Sequence, residues 1–254
     1  MQRSFTYTVL ITWLFIFGAC KAQYVKTSYE TSNMVVSDSL NQLDSQLVQI
    51  YFPYKKMLEK DMNRVIAVSS QEMAKEKPES GLTNFLADLL LEEGKRYLNS
   101  TQNNFQPDIS YFNYGGIRTF LPEGKITVGK IYELMPFENE MVFLKLNGHQ
   151  VNEFLDAVAN KGGDSVGGVR FKIVDEKAIA IIVGNNPLQL EKSYWIVTND
   201  YIAQGGDDLE MLTERSEFAK SGQKIRDVII SHLEKLNEKG EILNAETDGR
   251  ITSE

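Results

Sequence analysis

The 254 residues carry 27 Lys and Arg against 35 Asp and Glu, a net charge of −8, with 42% hydrophobic and 24% charged residues. That balance belongs to an ordinary globular chain, long enough to bury a self-supporting core, and it excludes collagen-like and disordered classes. The acidic charge argues against nucleic acid as a partner, because phosphate-backbone binding needs a basic face, while a small anionic ligand stays open through a local cationic cluster.

Residues 1–19 read as an export signal: Arg3 gives a positive start, residues 9–17 form an apolar run broken only by Thr12, and Gly18-Ala19 are small. Such a run is too short to cross a bilayer as a helix. Phe17-Gly18-Ala19-Cys20 resembles the lipobox at which bacterial lipoprotein signals are cut and the new N-terminal cysteine is lipidated. Cys20 is the sole cysteine of the chain, so it has no disulfide partner within the chain and its presence asks for another role. A plain secretory signal cut near Ala22 is the alternative. The sequence thus predicts a lipidated Cys20, a flexible tether over 20–35, a membrane contact through that anchor, and a single domain over 36–254.

Residues 36–62 predict a helix, with Leu40, Leu43, Leu47 and Ile50 on one face and a kink or restart at Pro53. Residues 65–68 read as a strand and 69–80 as a loop. Leu82, Phe85, Leu86, Leu89 and Leu90 give the spacing of an amphipathic helix over 81–97. A strand at 109–112 stops at Gly115-Gly116, whose freedom to take positive φ and to approach a ligand opens space for Asn113 and Arg118. Thr127 caps a helix over 128–134 that ends at Pro136. Further on come a strand at 141–146, a turn at Asn147-Gly148, and a helix carrying Val151, Phe154, Leu155 and Val158. A glycine-rich loop at 162–168 leads to strands at 169–174, 178–183 and 194–198, and Ile225, Val228, Ile229, Leu233 and Leu236 mark a last helix. Strands and helices alternate without one regular repeat, so the predicted class is α+β, or mixed α/β, with one sheet packed by helices.

Three segments stand in a fixed order: Asn113-Tyr114-Gly115-Gly116-Ile117-Arg118, then Ile126-Thr127 through Met135-Pro136-Phe137, then Asn199-Asp200-Tyr201-Ile202-Ala203-Gln204-Gly205-Gly206-Asp207. Together they resemble the C-terminal domain of the 5′-nucleotidase family. In two-domain members of that family an N-terminal metallophosphatase domain carries two metal ions and the C-terminal domain holds the nucleotide; this chain resembles the second domain alone. The resemblance implies that Phe137 and Tyr201 clamp a base, that Asn113 lies near base and ribose, that Arg118 faces the phosphate or ribose side, and that Asp207 takes the ribose hydroxyls. Stacking aromatics, a carboxylate acceptor and a guanidinium fork suit those tasks. Two departures stand out. No arginine lies between Arg64 and Arg96, where members carry further arginines, which leaves Lys75 or Lys77 as substitute point charges; and Asp208 follows Asp207 where members have glycine.

A two-metal hydrolytic site needs a cluster of His, Asp and Asn ligands. This sequence offers His149, in the predicted turn, and His232, on the apolar face of the last helix and read as a packed histidine. No nucleophile elbow or Walker loop is present. The expectation is therefore the nucleotide-binding half of a split, envelope-located 5′-nucleotidase, with no cofactor in this chain and divalent metals confined to a separate metallophosphatase chain. The alternatives are a stand-alone nucleotide- or nucleoside-binding lipoprotein and a degenerate structural envelope lipoprotein.

Overall fold

The computed structural model describes residues 30–33 and 44–253. The expected signal peptide, Cys20 and most of the tether lie outside them, as does the start of the helix expected from residue 36. The chain divides into two units, Met1–Ile50 and Tyr51–Glu254. In the first, residues 30–33 are exposed and irregular, and Asp44 opens helix α1 (Ser45–Met62) by accepting the Gln46 N–H at 2.9 Å. The helix continues across Pro53 without a restart, one of the two outcomes, kink or restart, that the sequence predicts there. No side chain of α1 is buried, so water can satisfy the carbonyl the proline frees.

The second unit continues with β1 (Val65–Ser69), α2 (Gly81–Ser100), β2 (Ile109–Phe112), β3 (Gly124–Thr127), α3 (Val128–Leu134), β4 (Glu140–Asn147) and α4 (Gly148–Asn160). Next come β5 (Ser165–Gly167), β6 (Val169–Val174), β7 (Lys177–Val183), β8 (Asn186–Pro187), β9 (Ser193–Asn199), α5 (Asp200–Ala203), β10 (Glu217–Lys224), α6 (Ile225–Glu238) and β11 (Ile251–Ser253). The mixed α/β class is the predicted one, but among the described residues the strands form three sheets rather than one: β10-β4-β9-β2-β5, β11-β6-β7-β8, and the pair β1-β3.

The five-stranded sheet is covered on both faces, and the two-residue period of β4 shows how. Met141 and Phe143 join a core with Leu86, Leu90, Phe112, Val197 and Ile229, beneath α2 and α6. Val142, Leu144 and Leu146 join a second core with Val151, Phe154, Leu155, Phe171 and Ile181, which α4, β6 and β7 supply. Strands buried on both faces read as continuous apolar runs, as residues 141–144 do. β6 buries alternate residues and β7 buries Ala178, Ile181 and Val183 across a bulge, so one face of the hairpin closes over α4 as a separate layer.

Two local expectations are corrected. Asn147-Gly148 does not make a turn: Asn147 caps α4, accepting the Gln150 N–H at 2.9 Å while Gln150 accepts the Asn147 N–H at 3.0 Å, and His149 falls in the first helical turn. Glycine is required there because a Cβ on Gly148 would lie 2.2 Å from the Gln189 carbonyl. The glycine-rich loop contains β5, an edge strand paired with β2. Its small residues are a packing demand, since a Cβ on Gly167 would stand 2.4 Å from Ser110 Oγ and 3.1 Å from the Ala87 backbone of α2.

His232 is packed, as its apolar face suggests. It is 6% exposed, with Nδ1 2.7 Å from Oε1 of Glu93 on α2 and its ring edge-on to Phe85. Burial works to raise the Glu93 carboxyl, but the His232 hydrogen bond and the charges of Arg96 and Lys235 outweigh it and hold the group below its usual range. A carboxyl depressed on folding stabilises above its unfolded value, about 4.5, and that contribution is lost as pH falls through the folded value. Glu93→Gln should therefore flatten the acid limb of the stability–pH curve measured by urea unfolding; an unchanged limb would assign acid sensitivity elsewhere.

Candidate functional site

The sheet brings one end of three strands together. β2 and β9 pair in parallel, with Ile109 opposite Ile196 and Ser110 opposite Val197, so Asn113 just past β2 and Asp200 just past β9 emerge at the same edge. β4 is antiparallel to β9, with Met141 opposite Asn199, so the segment entering β4 arrives at that edge too. Ligands in open α/β sheets commonly sit beyond strand carboxyl ends of this kind. A cleft of about 350 Å³ opens here, lined by Asn113, Gly115, Gly116, Arg118, Phe137, Asn139, Tyr201 and Asp207. All five residues that the sequence singles out for ligand contact lie on it.

Beyond β2 the chain makes one 3₁₀ turn, Tyr114–Gly116, closed by the Gly116 N–H donating to the Asn113 carbonyl at 2.9 Å. Neither glycine uses positive φ, contrary to the expectation from sequence. Gly116 is needed for closeness instead, because a Cβ there would lie 2.7 Å from Asn113 Oδ1. Asn113, 5% exposed, is fixed from both ends of its amide: Oδ1 accepts from Asn199 Nδ2 at 3.2 Å, and Nδ2 donates to Asp207 Oδ2 at 2.7 Å. Asn199 in turn caps α5 by accepting the Ile202 N–H at 2.8 Å. Asn139 lies outside the three motif segments, and Asn199 opens the third without a role assigned to it; its place before Asp200-Tyr201, where a helix N-cap falls, is the signal that could have found that role.

Asp207 stands in the left-handed region, φ 55° and ψ 42°, after Gly205 at φ 89°. Aspartate tolerates that region better than most residues. Its carboxylate is shared: Oδ2 takes the Asn113 amide, and Oδ1 takes the Tyr201 hydroxyl at 2.8 Å. Tyr201 lies across the backbone of Gly206, where a Cβ would meet its ring at 2.5–2.8 Å. The rings of Phe137 and Tyr201 are 40% and 47% exposed, large apolar surfaces left beside a hollow.

Arg118 is the one cation on the cleft among the described residues, and its Nη1 donates to the Gly115 carbonyl at 3.1 Å. Lys75 and Lys77 do not stand in for missing arginines. Lys75 Nζ donates to the carbonyls of Tyr114 at 2.8 Å and Ile117 at 2.5 Å, behind the turn, and lies 4.1 Å from the Tyr114 ring centre. Burial, with Arg118 and Lys77 nearby, pushes its ammonium below the ordinary lysine range. Lys77 donates to the Lys161 carbonyl. Behind them Asp164, 4% exposed, accepts the Tyr111 hydroxyl at 2.8 Å; burial pushes its carboxyl up. Asp208 faces away, into a separate acidic hollow with Glu153, Asp156 and Asp175.

The described residues do not assemble the ligands of a two-metal centre. His149 is exposed, with Nε2 3.6 Å from Glu191, and His232 is spent on Glu93. Among the described residues no group of three or more His, Cys, Asp or Glu is placed to hold a metal.

A family described as 5′-nucleotidase, C-terminal domain, matches residues 63–214. The chain belongs to that family. It is 22% identical over 215 residues to a 5′-nucleotidase of Vibrio cholerae, covering 83% of this chain but 38% of that one. It is 26% identical over 202 residues to a trifunctional nucleotide phosphoesterase of Bacillus subtilis, covering 73% of this chain and 13% of the other. Among solved structures it resembles a 5′-nucleotidase precursor from Thermus thermophilus, with a TM-score of 0.66, 27% identity, and coverage of 83% of this chain and 43% of that one. A Haemophilus influenzae NAD nucleotidase shares the fold at a TM-score of 0.61 and 19% identity, with 83% of this chain and 42% of that one covered. This 5′-nucleotidase C-terminal domain chain thus spans well under half the length of the relatives it matches.

The Tyr201–Asp207 bond has a measurable signature. That hydrogen bond, with the charge behind it, holds the Tyr201 phenol above its ordinary value of about 10. In a ¹³Cζ-tyrosine titration Asp207→Ala should bring Tyr201 back down, and Gly206→Ala should do the same by displacing the ring. A Tyr201 signal unmoved by either change would contradict the bond.

Proposed function

We propose that this chain supplies the nucleotide-binding half of an envelope-located 5′-nucleotidase, with hydrolysis carried by a metallophosphatase on a separate polypeptide. The observation that carries the reading is the convergence of Asn113, Arg118, Phe137, Tyr201 and Asp207, from three separated segments, on one cleft. Its volume of about 350 Å³ is in the range of small-molecule sites. Two half-exposed aromatics can stack on either face of a base, and a base is the ligand group that rewards both at once. A carboxylate has about four lone-pair sites, so Asp207, with one donor on each oxygen, can still accept two hydroxyls of a ribose. Among the described residues Arg118 keeps N–H groups without a protein acceptor, free for a phosphate oxygen.

Hydrolysis is assigned to another chain because the described residues bring together no ligand set for it. Export and anchoring through Cys20 are part of the same proposal: labelled fatty acid should enter the wild type but not Cys20→Ser.

Calorimetry with adenosine and AMP tests the cleft. Phe137→Ala and Tyr201→Ala should each weaken binding by about 1–3 kcal/mol, roughly five- to two-hundred-fold. Arg118→Ala should cost more for AMP than for adenosine, and Asp207→Asn more for adenosine than for adenine. Purified protein with Mg²⁺, Mn²⁺ or Zn²⁺ should release no phosphate from AMP above background. Variants that stay folded and bind as the wild type does would overturn the cleft reading, and metal-dependent turnover above about 1 s⁻¹ would overturn the division of labour.

A further inference from the structure

Phe137 and Asn139, two walls of the cleft, lie in residues 135–139 between α3 and β4, a segment without regular structure. The Phe137 ring belongs to neither core, so packing alone does not set its angle. The segment is instead fastened to the start of α6, more than eighty residues later. The Ile225 N–H donates to the Asn139 carbonyl at 2.9 Å. Arg226 Nη1 donates to the Phe137 carbonyl at 3.4 Å, and its Nη2 donates to the Glu138 carboxylate, which also receives Lys224 Nζ. The Arg226 guanidinium lies 4.1 Å from the centre of the Tyr132 ring on α3.

Arg226 is 5% exposed. A buried guanidinium is costly unless it is paired; here a carboxylate, a carbonyl and a ring face meet it, while its Nε is buried without a hydrogen-bond partner among the described residues. Its fork is planar, so a single side chain holds two successive residues, 137 through the backbone and 138 through the carboxylate. A lysine could reach one of these points, not both in a fixed plane.

We propose that Arg226, with Lys224 and Glu138, forms a strap that sets the angle of Phe137 to the cleft, making Arg226 a positioning residue for recognition of the base. The proposal rests on the nucleotide-binding reading of the cleft. It assigns part of ligand selectivity to a helix end that does not line the site.

The test combines backbone hydrogen exchange over residues 135–141 with calorimetry on adenosine and on ribose 5-phosphate, using the full chain. Glu138→Gln changes a largely exposed side chain, so its fold is safe; Arg226→Lys keeps the charge but not the fork. Both should exchange faster over 135–141 alone, weaken adenosine several-fold, by less than Phe137→Ala does, and leave ribose 5-phosphate unchanged. Within a Phe137→Ala background, Glu138→Gln should add no further loss of adenosine affinity, as expected of residues acting through one another. Folded variants with wild-type exchange and wild-type adenosine binding would overturn the strap, as would an equal loss for both ligands. A wild type that binds none of the three ligands, adenosine, AMP and ribose 5-phosphate, would instead overturn the reading of the cleft itself, and base positioning with it.

Discussion

The parallel pairing of β2 with β9 is the constraint on which the rest depends. Parallel neighbours present their carboxyl ends at one edge of the sheet, so the chain leaves Phe112 and Asn199 side by side although the two residues are distant in sequence. Slipping one strand by a residue would exchange that strand's two faces, moving the side chains of each core into the other. The site is therefore held by burial on both faces of the sheet, and the turn, the cap and the 3₁₀ segment at its edge inherit their positions from it.

On that edge the polar groups form one connected chain: Asn199 to Asn113, Asn113 to Asp207, and Tyr201 to Asp207. Each member is fixed by the next, which leaves Asp207 oriented before any ligand arrives, and an oriented acceptor loses less on binding than a free one. Lys75 works from behind, tying two carbonyls of the turn, and so a charge that could have met a phosphate is spent on shape. With Arg118 as the one cation on the cleft among the described residues, the proposed binding mode offers a phosphate a single guanidinium.

Much of this was legible in the sequence where apolar pattern and chemistry agreed. The strand β4 followed from residues 141–146, the α2 stripe from Leu82 to Leu90, and the packed state of His232 from its place on an apolar helix face. Five of the residues that line the cleft were named through the family resemblance of three motifs that stand in order. What stayed hidden depended on long-range contact. β10 carries Lys, Ser, Gly and Gln on an edge and shows no apolar alternation. β5 is made of residues chosen for smallness, which read as loop. At Asn147-Gly148 a pair typical of turns conceals the capping box that Asn147 makes with Gln150. The hold of Arg226 on residues 137 and 138 spans too much chain for any local pattern to announce.

A crystal structure of the chain soaked with adenosine tests the account most directly. It should show the base between Phe137 and Tyr201 and the ribose hydroxyls on Asp207, with the protein's hydrogen bonds to Asp207 retained. Adenosine bound elsewhere, or a cleft left empty at saturating ligand, would contradict it.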